Sequence, residues 1–388
     1  MIIGYDGKRA VNNMTGLGNY SRLVVEGIAE EFPGDTLLLY TPKPGENPRL
    51  RKINELGNVE FRYPAPQGLK GGLWRTFGIT NHLRADKVDL FHGLSNELPL
   101  NIRSAGVPSV VTIHDVIYRR LPQCYKPIDR LTYDYKYGRS CHNADHIIAV
   151  SQRTKDDVVD LYGIDPEKIT VVYQGCDPQF RRQWSDAELL DLRKRYNLPE
   201  RYILQVGTIE KRKNLEVTVR ALTNISPDMS LVVVGKDHHG YKKFIEKIAA
   251  ETGVTGRIIY LEGLPFTDLP GINQAAEIVV YPSRYEGFGI PVLEALESRR
   301  PVIAATGSCL EEAGGPDTLY IDPENPSEMV QAIHAILSDP AATRMMTEAG
   351  KEYARRFRVE DMASNIMKVY ETTIENFRGA KAPSTKIS

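Results

Sequence analysis

Short runs of β-branched and aliphatic residues recur along the chain, with helix-like apolar spacing between them. The first series of runs lies at 36–40, 59–63, 88–91, 109–113, 146–150 and 169–172. Short apolar runs bounded by turn residues predict buried strands. Because strands that alternate with helices form parallel sheets, the first part of the chain predicts an α/β domain.

A second series of strand-like runs follows a polar stretch between Asp177 and Arg201. Its members lie at 202–207, 231–234, 258–261, 278–281, 302–304 and 319–321, and helical patterns at 326–337, 342–357 and 360–377 follow. We predict a first domain over 1–180, a second over 181–359, and a helix at 360–377 that packs back towards the first. The predicted fold class is α/β, with two tandem doubly wound Rossmann-like domains. Since parallel sheets bind ligands at the carboxyl ends of their strands, we expect the two domains to face a cleft.

The composition of the chain argues against nucleic-acid binding, a membrane span and secretion. The 388 residues include 49 Lys plus Arg and 50 Asp plus Glu, a net charge of -1, so no overall field favours nucleic acid. No apolar run approaches the ~20 residues of a membrane span. The start of the sequence, Met1 to Asp6, lacks the pattern of a secretory leader, and we expect a cytoplasmic protein.

The cysteines and histidines give no sign of a metal site or cofactor. Four cysteines, Cys124, Cys141, Cys176 and Cys309, are far apart in the sequence, which argues against a zinc site and a disulfide framework. HExxH, Walker and Gly-x-Ser-x-Gly motifs are absent. We therefore expect no metal and no cofactor.

The most informative segment runs from 281 to 296, where a predicted strand, a glycine loop and a predicted helix follow one another. Gly287 and Gly289 allow backbone amides to approach a ligand, and the helix start favours an anion such as a diphosphate. Glu286 in the loop and Glu294, expected in the first helical turn, can each accept two hydroxyl groups of a sugar or ribose. The alternative is that Glu294 complements the helix dipole and Glu286 is a solvated loop residue.

A second segment, 205–215, follows the first predicted strand of the second domain. Arg212 and Lys213 precede a helix there, and two fixed cations could neutralise the charge that grows on a departing diphosphate. The alternative is an exposed basic turn.

The first domain offers a histidine and a glycine pair. His114 follows the strand at 109–113, and His92 stands at the end of the strand before it. Either could be a hydrogen-bonded core histidine. Gly16 and Gly18 form a turn that enters a helix expected near Asn19, and their spacing lacks the third glycine of a dinucleotide motif.

Taken together, these segments resemble the family 4 glycosyltransferases, retaining enzymes of the two-domain GT-B fold. The resemblance covers about Asn12 to Phe377 and is strongest in Glu286 to Glu294, which match the family's Glu-x7-Glu pattern. It implies that Arg212 and Lys213 hold the donor diphosphate. It likewise implies that Glu294 binds the ribose and Glu286 the transferred sugar, with His114 beside it.

The implied catalytic set is His114, Arg212, Lys213 and Glu286. The implied donor-binding set is Gly16, Gly18, Gly207, Thr208, Arg212, Lys213, Glu286, Gly287, Phe288, Gly289, Ile290 and Glu294. Many family members have Arg where this chain has Thr208, and we expect Arg212 to supply that charge.

The resemblance further implies hexose transfer from a nucleotide-diphosphate sugar, with a weak preference for GDP-mannose, by a metal-independent front-face reaction. The implied acceptor is a saccharide or lipid-linked molecule of a cell-surface polysaccharide. Two alternatives stay open: a nucleotide-sugar epimerase or hydrolase on the same fold, and a non-catalytic nucleotide-sugar-binding protein.

Two stretches of the first domain combine cations with aromatic residues. Between Arg119 and Arg139 there are six basic residues against two acids, together with several tyrosines, and the stretch 69–77 contains Lys70, Trp74 and Arg75. Such surfaces favour peripheral contact with an anionic membrane. The alternative is a core helix with solvated charges.

Overall fold

The computed structural model describes residues 1–65, 68–69 and 71–381. The chain divides into two compact units. One is Met1–Gly175 together with the segment that begins at Val359, and the other is Cys176–Arg358. The predicted boundaries after residues 180 and 359 lie a few residues further along the chain.

The first unit is built on a seven-stranded parallel sheet. Its strands are β1 (Ile2–Asp6), β2 (Thr36–Tyr40), β3 (Val59–Arg62), β4 (Leu90–Gly93), β5 (Ser109–Ile113), β6 (His146–Ala149) and β7 (Ile169–Val171). They lie in the order β3-β2-β1-β4-β5-β6-β7. The central strand β1 was missing from the predicted runs, because Gly4 and the terminal Asp6 shorten its apolar pattern.

Helices cover this sheet. They are α1 (Lys8–Asn12), α2 (Gly16–Glu31), α3 (Arg51–Glu55), α4 (Gly71–Leu73), α5 (Ile79–Ala85), α6 (Ile117–Arg120), α7 (Pro127–Asn143) and α8 (Gln152–Tyr162). The last helix of the chain, Val359–Lys381, also belongs to this unit and packs on α2. The two helices approach closely at Gly27, where a Cβ would lie 2.8 Å from Val359 Cγ1.

The second unit has a six-stranded parallel sheet. Its strands are β8 (Tyr202–Val206), β9 (Ser230–Val234), β10 (Ile258–Leu261), β11 (Ile278–Tyr281), β12 (Val302–Ala305) and β13 (Leu319–Ile321), in the order β10-β9-β8-β11-β12-β13. Its helices are α9 (Asp186–Tyr196), α10 (Leu215–Ala221), α11 (Tyr241–Glu251), α12 (Leu269–Ala275), α13 (Ile290–Glu297), α14 (Leu310–Gly314), α15 (Pro326–Ser338) and α16 (Pro340–Ala354). The final helix, Val359–Lys381, is therefore α17.

Each sheet has a point where successive strands change from one side of the sheet to the other. In the first unit it lies between β1 and β4, and in the second between β8 and β11. The loops that leave neighbouring strands diverge there, which leaves a crevice at the carboxyl edge of the sheet. Among the described residues, no helix is long and apolar enough to cross a lipid bilayer.

Candidate active site

The switch point of the second sheet is formed by the loops that follow β8 and β11. Gly207 leaves β8 with φ 144°, in a region that side chains disfavour. It passes so close to the next strand that a Cβ at Gly235 would lie 1.9 Å from the Gly207 carbonyl oxygen. A short 3₁₀ turn over Lys211–Lys213 then leads into α10. This path places two cations at the carboxyl edge of the sheet.

The carboxylate of Glu286 lies at the centre of this site. Its Oε1 is 2.7 Å from an Arg212 guanidinium nitrogen and 2.6 Å from Lys213 Nζ. The same oxygen accepts hydrogen bonds from Ser283 Oγ at 2.5 Å and Tyr281 Oη at 3.2 Å. The Arg212 and Lys213 side chains are each only 13% exposed. Glu286 is therefore not a solvated loop residue, and Arg212 and Lys213 do not form an exposed basic turn.

The charges in the cluster hold one another in place. Burial alone would raise the pKa of Glu286, but Arg212, Lys213 and the hydrogen bonds to the carboxylate lower it to about 2. Burial lowers the pKa of Lys213, and the neighbouring Glu286 opposes that effect. Glu286 is consequently ionised at neutral pH.

Arg212 also joins the two loops of the switch point. Its guanidinium donates to Glu210 at 2.6 Å and to the Tyr285 carbonyl at 3.0 Å. Its own carbonyl accepts the amide of Arg284 at 2.9 Å. The position of the cation is therefore fixed by both loops before any ligand arrives. Thr208, by contrast, is exposed and carries no charge.

The loop after β11 ends in helix α13. Gly289 has φ 127°, and a Cβ there would lie 2.8 Å from Leu310 Cδ2, so a side chain would be both strained and crowded. The helix begins at Ile290, which makes Glu294 its fifth residue. The predicted place of Glu294 in the first turn is therefore wrong, because the chain becomes helical one residue earlier than expected. Glu294 is 5% exposed and lies in the second turn.

Sequence reasoning missed one residue that shapes this loop. The thiol of Cys309 lies 3.1 Å from the Glu286 carbonyl oxygen and 2.9 Å from that of Phe288. Cys309 follows β12, which pairs with β11, so the two loops meet at one edge of the sheet. No local sequence signal marks it, because the pairing of β12 with β11 is known only once the sheet has formed.

The other predicted residues lie on the first unit. Gly16 and Gly18 are inside the first turn of α2, since the helix begins at Gly16 rather than near Asn19. A Cβ at Gly18 would lie 1.9 Å from the Asn13 carbonyl oxygen, so only glycine fits there. The buried Arg22 donates to the carbonyls of Ala10 and Asn13 and holds the preceding loop against the helix.

His114 follows β5 directly and is buried. Its Nε2 lies 2.9 Å from the Leu94 carbonyl oxygen, which can only accept, so Nε2 carries the proton. Its ring meets the edge of Tyr20 at a centroid distance of 4.6 Å. Burial lowers the pKa of His114 to about 4, and the imidazole is neutral at pH 7.

His92 is a core residue with both ring nitrogens engaged. Nδ1 lies 2.6 Å from Tyr370 Oη and Nε2 lies 2.8 Å from Thr112 Oγ1. Burial and the nearby His114 lower its pKa to about 3. It joins α17 to the centre of the first sheet and has no free nitrogen for a ligand.

The structure thus brings Arg212, Lys213 and Glu286 together on the second unit, with Gly287, Phe288, Gly289 and Ile290 in the adjoining loop and helix start. His114, Gly16 and Gly18 lie on the first unit. Two doubly wound parallel sheets, one with a Lys–Arg–Glu cluster at its switch point, form the architecture of the GT-B class of glycosyltransferases.

Comparisons with known proteins agree with that class. The family model Glycosyltransferase Family 4 matches residues 14–180, and Glycosyl transferases group 1 matches residues 191–353. The O-antigen chain mannosyltransferase B of Escherichia coli is 30% identical over 374 residues, which cover 92% of this chain and 96% of that protein. The chain therefore belongs to the family 4 glycosyltransferases.

Other relatives differ in their named activities. A D-inositol 3-phosphate glycosyltransferase of Corynebacterium glutamicum is 28% identical over 78% of this chain and 77% of its own length. Among solved structures, Anabaena HepE in complex with UDP and glucose has a TM-score of 0.76 at 19% identity, covering 96% of this chain and 99% of that chain. The structural likeness supports the fold alone. It does not identify the donor or the acceptor of this chain.

Proposed function

We propose that this glycosyltransferase is a retaining hexosyltransferase that uses a nucleotide-diphosphate sugar, with GDP-mannose as the favoured donor. The acceptor is a saccharide or lipid-linked intermediate of a cell-surface polysaccharide. The observation that carries the proposal is the buried cluster of Arg212, Lys213 and Glu286 at the switch point of the second sheet. The name of the Escherichia coli relative, O-antigen chain mannosyltransferase B, supports the choice of sugar.

In this proposal, Arg212 and Lys213 neutralise the charge that develops on the leaving diphosphate, with help from the amides at the start of α13. Glu286 orients both cations in the free enzyme and accepts hydroxyl groups of the transferred sugar. Glu294 accepts the ribose hydroxyls. Retention then follows from a front-face reaction in which leaving-group stabilisation and positioning replace a protein nucleophile.

Donor binding is tested by nucleotide affinity. A panel of GDP, UDP and ADP should stabilise the protein against heat by mass action, and the largest shift identifies the base. Glu294→Ala should weaken binding of that nucleotide by ~1 to 3 kcal/mol, the cost of losing a hydrogen bond to a charged group. Glu348→Ala on α16, an exposed carboxylate, is the matched control. Equal affinity in folded Glu294→Ala and Glu348→Ala would contradict the ribose role.

A labelled donor separates the alternatives. Transfer to an acceptor with retained anomeric configuration supports the proposal. An altered or free sugar without transfer would indicate an epimerase or hydrolase, and nucleotide binding without turnover would indicate a non-catalytic binding protein.

We also propose that no metal or cofactor takes part, because the two fixed cations provide the charge that a metal ion supplies elsewhere. Transfer should persist in excess chelator. A strict requirement for Mg²⁺ or Mn²⁺ in the chemical step would refute this part.

Peripheral membrane contact is a further part of the proposal, and the structure changes the residues that could make it. Arg75 is buried against Asp6 and Glu97, Arg119 pairs with Asp134, and Arg120 pairs with Asp157 and Asp160. Trp74 is buried, and Lys70 lies outside the described residues. These residues are therefore poor choices for a lipid contact.

Helix α7 presents a better surface. Ile128, Leu131 and Tyr135 recur every three or four residues on one side and are 67%, 69% and 58% exposed. Lys126, Arg130 and Arg139 are exposed beside them. The opposite side of α7 packs through Tyr133 and Tyr137, which stack with a ring-centroid distance of 5.4 Å. Large apolar side chains flanked by cations suit an anionic lipid surface.

Vesicle sedimentation tests this surface. Binding should require anionic lipid, weaken with salt, and fall when Lys126, Arg130 and Arg139 are changed to Gln together. Leu131→Ser should weaken it as well, because an inserted apolar side chain is lost. Arg51→Gln is the matched control. Arg51 lies on α3 and pairs with Glu55. Equal binding to neutral and anionic vesicles would leave a soluble acceptor as the only alternative.

A further inference from the structure

A group of cations at the switch point of the first sheet has no role in the proposed reaction. Lys8 and Arg9 follow β1 directly. Arg75 and Lys136 reach the same edge of the sheet from the segment before α5 and from α7. Because β1, β4 and β5 are neighbours in a parallel sheet, the residues that leave their carboxyl ends lie side by side.

Two of these cations are matched by carboxylates. Arg75 lies 2.6 Å from Asp6 and 2.5 Å from Glu97, and its side chain is only 12% exposed. Lys136 lies 3.6 Å from Glu97. Asp6 and Glu97 are therefore already engaged by Arg75 and Lys136, in a network that holds this edge of the sheet together.

The other two cations have no such match. Among the residues that the structure describes, neither Lys8 nor Arg9 forms an ion pair within 4.0 Å. Arg9 Nε is buried and has no hydrogen-bond partner. Burial lowers the pKa of Lys8, the charges of Arg75 and Arg9 lower it further, and the charges of Asp6 and Glu97 only partly oppose this fall. The carboxylates at this edge are Asp6, Glu97 and Asp115, which follows β5. The four cations outnumber these three carboxylates, so positive charge is in excess.

This excess charge lies beside the predicted reaction centre. After burial and the hydrogen bond to Leu94, the charge of Arg9 is the next influence on the pKa of His114. Burial raises the pKa of Glu97, whereas Arg75 and Lys136 lower it, with a smaller contribution from Arg9. A buried guanidinium N–H without an acceptor is unfavourable, so an anion from outside that accepts it would be bound favourably.

We propose that the Lys8 and Arg9 side chains form an anion site that takes a phosphate ester on the acceptor. The inference rests on the proposed function, since it identifies the acceptor's chemistry. Arg9 would give a forked contact to two phosphate oxygens, and Lys8 a second charge. The Arg75 network would keep both cations at the edge of the sheet. The phosphate could belong to a lipid carrier or to a phosphorylated sugar.

Direct binding tests the site. The probe is glycerol 3-phosphate, with glycerol as the neutral match, titrated calorimetrically into full-length protein alone and in the presence of saturating GDP. Glycerol 3-phosphate should bind and glycerol should not. Arg9→Gln should weaken that binding about tenfold, the scale of one charge-assisted contact, and Arg9→Lys should lose less. Arg84→Gln is the matched control, because it lies in the same unit on α5, before β4 begins.

Equal affinity of wild type and a folded Arg9→Gln for glycerol 3-phosphate would overturn the proposal, as would no binding to wild type. Nucleotide affinity is measured on the same samples. A wild type that binds glycerol 3-phosphate but no nucleotide would contradict the proposed function and leave the anion site standing. The reverse result would contradict the anion site alone.

A second comparison distinguishes the two sources of the phosphate. A short-chain prenyl phosphate and a hexose 6-phosphate are titrated against wild type and Arg9→Gln. Tighter binding of the prenyl ester supports a lipid carrier, and tighter binding of the sugar ester supports a phosphorylated sugar. In both cases the preference must depend on Arg9, and a preference that persists in Arg9→Gln counts against the site.

Discussion

The two sheets share a strand order but carry different charged groups at their switch points. In the second unit, a buried carboxylate, Glu286, lies between Arg212 and Lys213, and its pKa is lowered to about 2. In the first unit, the equivalent edge has a neutral histidine, His114, whose pKa is lowered to about 4. Parallel topology therefore selects where functional residues lie, and the loops alone select their charge.

The difference suits two tasks. A leaving diphosphate needs cations that are fixed in place before the reaction, and Glu286 fixes them. Under the proposed function, the acceptor lies at the other switch point, where the imidazole of His114 is neutral and the charges of Lys8 and Arg9 are uncompensated. Three experiments test whether these two edges differ as described.

The largest effect is expected at the cluster of Arg212, Lys213 and Glu286 in the second unit. Lys213→Met removes a buried cation from the leaving group's surroundings, and turnover should fall about 10²- to 10³-fold, as when one preorganised donor is lost. Lys194→Met, an exposed lysine on α9, is the matched control and should retain activity. Steady-state kinetics on both variants provide the measurement. Similar turnover in the two variants would remove Lys213 from the mechanism.

Mild acid should lower the unfolding free energy of the first unit more than that of the second. His92 and His114 have folded pKa values lowered from 6.5 to about 3 and about 4. The unfolded chain therefore binds more protons, so their stabilising effect is present above pH 6.5 and is lost as the pH falls towards those values. Between pH 7 and 5, each histidine should cost the first unit about 2 kcal/mol of unfolding free energy.

Hydrogen exchange in each unit at pH 7 and pH 5 measures this effect. His92→Gln should reduce the acid sensitivity of the first unit. Glu286→Gln should leave the pH dependence of the second unit unchanged in this range, because the ordinary pKa of a glutamate, 4.5, and the folded pKa of Glu286, about 2, both lie below it. Equal loss of protection in both units would contradict the contrast.

The smallest effect is expected at Gly16, which is compared with Gly18, the other glycine of the pair in the first unit. Gly18→Ala forces a Cβ to within 1.9 Å of a backbone oxygen and should destabilise the protein by ~1 to 3 kcal/mol. Gly16→Ala meets nothing within 4 Å and should raise stability by ~0.4 to 1 kcal/mol. Denaturant unfolding of the two variants gives the comparison. Equal stabilities would show that the loop at Asn13 can move.

Much of the architecture was predictable from apolar runs. Every predicted run is a strand, with ends within two residues of the observed ones. One observed strand, β1, had not been predicted, because a five-residue strand with an internal glycine gives little pattern. It nevertheless lies at the centre of its sheet, since burial on both faces compensates for weak local preference.

The candidate site was likewise predictable only in part from the sequence. The order of residues along the chain was enough to place Arg212, Lys213 and Glu286 just after predicted strands, because strand ends and glycine loops are local signals, but only the sheet shows that those two strands are neighbours. Local sequence could not show that one carboxylate oxygen contacts both cations, that Cys309 holds the Glu286 loop, or that Arg75 is engaged by Asp6 and Glu97 while Arg9 is not. Those pairings join residues tens of positions apart, and their energies depend on burial and distance, which exist only once the sheets have formed.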